Sequence, residues 1–108
     1  MIRVTIYQNS EQRISGFAMQ GHAGYAESGS DIVCAAASVL AQNAVNSIEQ
    51  FTEDTFTVDV NEDLGELYFK IDAGYSHETE LLLNSLILGL QAIEEEYMEY
   101  IDVIFEEV

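Results

Sequence analysis

Residues 2–7 alternate apolar Ile2, Val4 and Ile6 with Arg3, Thr5 and Tyr7, the period of two expected of a half-buried strand. Asn9, Ser10 and Glu11 supply turn chemistry, and residues 12–20 read as the returning strand. Gly16 inside it marks a bulge or a close backbone approach. Residues 21–31, GHAGYAESGSD, hold Gly21, Gly24 and Gly29 and no period, which predicts a mobile loop. The period then changes. Val33, Ala37, Leu40, Ala44, Ile48 and Phe51 recur at helical spacing behind two N-cap candidates, Ser30 and Asp31. The first half of this helix, IVCAAASVLA, is apolar almost all round, which predicts burial on several sides.

Phe56, Val58 and Val60 alternate again, Asn61 to Gly65 turn the chain, and Leu67, Phe69 and Ile71 line a return strand. Ser76 is the N-cap expected for a second helix running to about Tyr97, with Leu82, Leu86, Ile93 and Tyr97 on its buried face. Ile101, Val103 and Phe105 predict a fifth strand within residues 100–107. The order strand-strand-helix-strand-strand-helix-strand predicts an α+β fold: a mixed sheet of about five strands with two helices packed on it. With 108 residues and no linker-like stretch, residues 1–108 form one expected domain.

Charge narrows the partners. Three Lys plus Arg against twenty Asp plus Glu leave a formal charge of −17. That sign argues against direct contact with nucleic acid or an anionic membrane, and favours a basic partner or substrate. No apolar run approaches the length of a membrane span, and the alternating N-terminus lacks a signal peptide's apolar stretch. The single cysteine excludes an intrachain disulfide, and a free thiol suits a reducing cytoplasm.

That cysteine carries the candidate chemistry. If Asp31 caps the helix, Cys34 falls in its first turn, near unpaired N–H groups that favour thiolate over thiol. A lone cysteine in an apolar helix is equally a small core residue. His22 lies at the other end of the glycine-rich loop, so the loop can bring imidazole to sulfur, with histidine as base towards the thiol and acid towards a leaving group. Its plainer reading is a solvated loop residue. Asp31 either caps the helix or orients the imidazole, and as a cap its charge opposes the thiolate. Ser38, one turn beyond Cys34, either hydrogen-bonds within the site or bonds back to the Cys34 carbonyl. His77 reads as a surface residue, no ligand spacing suggests a metal site, and no phosphate-binding glycine loop indicates a nucleotide cofactor. The run Glu94, Glu95, Glu96 is a solvated face or a docking surface for a basic partner.

The segment G-H-A at residues 21–23, the glycine-rich loop, and G-S-D-I-V-C-A-A-A-S at residues 29–38 together resemble the ribosomal-processing cysteine protease family, Prp. The resemblance covers essentially the whole chain. It implies a cysteine endopeptidase without a cofactor that removes a short N-terminal extension from one basic large-subunit ribosomal protein precursor, the twenty-seventh of its series, during ribosome assembly. It implies His22 as base, Cys34 as nucleophile, Asp31 and Ser38 in supporting roles, and a homodimer. Backbone N–H groups at the start of the helix, that of Cys34 among them, are the expected oxyanion donors. Two rival readings remain: a non-enzymatic acidic module docked on a basic protein, and a thiol redox or acyl-transfer protein using Cys34 alone.

Overall fold

A computed structural model describes residues 1–27 and 30–108. Five strands and two helices follow in the expected order: β1 (Ile2–Gln8), β2 (Ile14–Gln20), α1 (Ile32–Phe51), β3 (Phe56–Asn61), β4 (Glu66–Ile71), α2 (His77–Glu96) and β5 (Ile101–Glu107). The strands form one mixed sheet in the order β3-β4-β2-β1-β5. The β1–β5 pair is parallel and the other three pairs are antiparallel. The fold is α+β, as the pattern predicts.

Register determines what each face buries. Val4 stands opposite Met19 and Val103, Ile6 opposite Phe17, and Phe17 opposite Phe69, so these side chains share one face of the sheet. With Ile2, Ile71 and Ile101 they join Val33, Ala37, Ala41 and Ile48 of α1 and Leu83, Leu86 and Leu90 of α2 in a single core cluster. The two helices also touch each other: a Cβ at Gly89 of α2 would lie 2.9 Å from a methyl of Leu40 on α1. Gly16 fulfils both readings of its position. The register shifts beside it, and a side chain there would collide with the Phe69 carbonyl on β4.

Two expectations about the helices are corrected, while Leu82, Leu86, Ile93 and Tyr97 do pack on the core. The first half of α1 is buried along one stripe only, with Ile32 and Val39 more than half exposed. A single sheet and one neighbouring helix cover only part of a helix's circumference. Phe51, expected on the buried stripe, is 74% exposed, because it is the last helical residue and overhangs the core. On α2 the fully covered positions are Thr79, Leu83, Leu86, Ile87 and Leu90, while Leu82, Ile93 and Tyr97 are half-buried. Tyr97 is the C-cap, its N–H donating to the Ile93 carbonyl at 2.8 Å. Glu94 has a structural use: its carboxylate accepts the Val103 N–H at 2.6 Å, occupying a donor on the edge strand β5.

Candidate active site

Three segments meet at one end of the sheet. β2 ends at Gln20 and the chain runs on through Gly21, His22 and Ala23. The first turns of α1 present Cys34 and Ser38. The third segment is the β3–β4 turn, residues 62–65. It reaches the site because β4 pairs with β2: Met19 faces Leu67, so the exit of β2 lies beside the turn. There Gly65, with φ of +63°, leaves room for only a hydrogen against the Gly21 carbonyl and the His22 ring.

His22, Cys34 and Ser38 line a shared cleft with two lobes. One, of about 260 Å³, is walled by apolar Ile2, Met19, Ala41, Val60 and Leu67. The other, of about 610 Å³, is bordered by Gly24, Asp31, Glu62 and Asp63. His22 is exposed and Cys34 half-buried. Imidazole and thiol therefore open onto the same space. Among the described residues no hydrogen bond joins them. Pattern reading missed the turn residues Asn61, Glu62, Asp63 and Gly65 as site components. Each hairpin is legible locally, but the pairing of β2 with β4 leaves no local signal.

The electrostatics of Cys34 correct the expectation of a favoured thiolate. Burial pushes the thiol pKa up, against the Ala23 N–H, which donates to Sγ at 3.2 Å and pulls it down. The neighbouring Asp31 carboxylate adds to the rise. The net direction is upward, which favours the thiol over the thiolate. The helix N-terminus does not reverse this because its positive end is already occupied by a carboxylate.

Asp31 is that carboxylate, and it is the N-cap of α1. One oxygen accepts the N–H groups of Val33 and Cys34, each at 3.0 Å. The other accepts the N–H of Tyr25 at 3.1 Å and of Ala26 at 3.5 Å. Burial raises its pKa, but these backbone donors outweigh that and hold it below the usual carboxylate value. Asp31 thus ties the loop to the helix. Because it takes the Cys34 N–H, that group is not free to hold an oxyanion, which corrects the earlier expectation. Ser38 Oγ accepts from Gln42 Nε2 at 2.8 Å. The described part of the loop is pinned further by buried Ala23 and by Tyr25, whose ring packs edge-on against Tyr97 and Tyr100. Gly21 and Gly24 both take positive φ, and Gly29 lies outside the described residues. His77 is exposed at the start of α2. Among the described residues no three His, Cys, Asp or Glu side chains converge as a metal site would require.

A thiol in the first turn of a helix, sharing a cleft with a histidine and touched by a backbone donor, is a constellation of the cysteine-hydrolase class. Comparison with known proteins is more specific. Residues 1–102 match the family described as cysteine protease Prp. The ribosomal processing cysteine protease Prp of Staphylococcus aureus is 36% identical over 101 residues, covering 94% of this chain and 95% of that one. Its counterpart in Bacillus subtilis is 33% identical over 107 residues, covering 95% and 96%. A crystal structure of the essential S. aureus ribosomal processing protease, in complex with a covalently linked product peptide, superimposes with a TM-score of 0.94 at 34% identity, covering 98% of this chain and all of the other. The chain belongs to the Prp family of cysteine proteases. It is a cysteine protease, so a non-enzymatic acidic module no longer describes it.

Proposed function

We propose that this protease removes the N-terminal extension of a basic large-subunit ribosomal protein precursor, the twenty-seventh of its series, using Cys34 as nucleophile and His22 as general base. The observation that carries the reading is the single cleft onto which both side chains open. Relatives with a bound substrate peptide and with a covalently linked product peptide support peptide cleavage as the reaction. With the Cys34 thiol favoured by its burial, His22 takes the proton as sulfur attacks the scissile carbonyl. The Ala23 N–H, directed at Sγ and not committed to the cap, is the candidate backbone donor to the oxyanion once sulfur has bonded to carbon. His22 then protonates the leaving amine. Water, deprotonated by His22, attacks the thioester, releasing the new carboxyl terminus and restoring the thiol. Asp31 supports this by holding loop and helix together, and Ser38 by lining the cleft with its Gln42 partner.

Charge supports the choice of substrate. Glu62, Asp63 and Glu66 border the cleft, and the whole chain carries −17, so a Lys- and Arg-rich precursor is drawn in while RNA is repelled. Cleavage then precedes assembly, in the cytoplasm. Residues 1–108 act as one catalytic domain. Exposed Ile32 and Val39 on α1 and Leu81 and Leu88 on α2 support a homodimer packed through the helices.

Steady-state cleavage of a peptide spanning the precursor junction tests the assignment. Cys34→Ala should show no turnover. His22→Ala should lose about 10²–10⁴-fold in kcat with KM little changed. Both should keep the wild-type circular dichroism spectrum. Turnover by Cys34→Ala, or a His22→Ala defect confined to KM, contradicts the assigned roles.

A further inference from the structure

His22 lacks the hydrogen-bonded partner that usually orients a catalytic imidazole: among the described residues nothing bonds to either ring nitrogen, and the nearest buried carboxylate, Asp31, is engaged by four backbone N–H groups. What the ring does touch is Gly65. A Cβ built on Gly65 would stand 2.9 Å from Cε1 and 3.0 Å from Nε2 of His22, and 2.7 Å from the Gly21 carbonyl oxygen. Carbon atoms in contact prefer about 3.5–4.0 Å. The Gly65 α-hydrogen therefore fills the gap between the ring and the exit of β2.

Backbone conformation alone does not account for this contact. Gly74 has a φ of +79°, close to the +63° of Gly65, yet nothing lies within 4 Å of a Cβ built there. The contact is particular to the β3–β4 turn. That turn is firm enough to act as a wall: Leu64 N–H donates to Asn61 Oδ1 and Gly65 N–H to the Glu62 carbonyl, each at 3.2 Å. The pairing of Met19 with Leu67 fixes its position against β2.

We propose that Gly65 is a positioning residue of the active site, seating the His22 imidazole by packing where other enzymes use a hydrogen-bonded carboxylate. The inference rests on His22 as the catalytic base, and deepens that reading. A methyl at position 65 must displace either the Gly21 backbone, held at the end of β2, or the exposed ring. The ring yields more easily, so the defect falls on turnover.

The test compares wild type with Gly65→Ala, Gly74→Ala and His22→Ala by kinetics, thermal melting and NMR of the histidine Cε1–H signals. The protein has only two histidines, so His77 serves as the reference signal. Gly65→Ala should lower kcat at least tenfold with KM within twofold, and should shift the His22 signal. Gly74→Ala also puts a side chain at positive φ, but away from the ring, and should change neither. In the wild type, a nuclear Overhauser contact between the Gly65 α-hydrogen and His22 Hε1 is expected, and this readout needs no variant to fold. Equal kcat in the two alanine variants with an unmoved His22 signal, or absence of the Overhauser contact, overturns the proposal. Full activity of His22→Ala instead overturns the dyad, while the Overhauser contact still reports on the seating.

Discussion

The surroundings of Cys34 favour the thiol over the thiolate. Burial and the Asp31 carboxylate raise its pKa, and the single Ala23 N–H at 3.2 Å does not compensate. The sign has a measurable consequence. Alkylation of the free enzyme by iodoacetamide should be slow at neutral pH and should keep rising with pH beyond the ordinary thiol value of about 8.5. A plateau reached by pH 6 would show a preformed thiolate–imidazolium pair and contradict this account. At this scale the sequence was only partly legible. Asp31 before an apolar helical run pointed to a cap, and Cys34 to the first turn. The opposition of Asp31 to the thiolate was legible, but the net direction of the pKa was not, because it depends on how deeply the sulfur sits and on which donors the carboxylate occupies.

Among the elements, α1 and the β3–β4 turn build the site, and the cap decides how. Asp31 joins two N–H groups of the helix to two of the preceding loop. Asp31→Ala should lose about 1–2 kcal/mol of stability by chemical denaturation, as N-cap removals do. Its pH dependence follows from the lowered pKa. The carboxylate's contribution is complete above the unfolded value of about 3.9 and is lost as pH falls through the lower folded value. The wild-type advantage over Asp31→Ala should therefore vanish in strong acid. An equal advantage at pH 7 and pH 2 would contradict the capping role. Element boundaries were legible because alternation, caps and turn residues agree along the chain. Burial around the helices was not. The apolar run IVCAAASVLA looks enclosed in sequence, yet Ile32 and Val39 face outward.

For the molecule as a whole, topology makes the candidate site. β1 and β2 form a hairpin and so do β3 and β4, but the sheet joins them through β2 and β4, bringing residues 62–65 to residues 21–22. Nothing in either hairpin's own pattern states that join, so His22 and Cys34 could be offered as candidates from the sequence while the turn lining the same cleft could not. The same join places Glu62 and Asp63 at the cleft of a chain already carrying −17, which suits a basic substrate. The central claim is that Cys34 in this cleft cuts such a substrate at one place. Mass spectrometry of the ribosomal protein precursor, carrying its N-terminal extension and incubated with wild type or Cys34→Ala, tests it most directly. The account predicts a single defined cut that releases the extension with wild type and none with Cys34→Ala. An intact precursor with folded, reduced wild type, or the same cut made by Cys34→Ala, would contradict it.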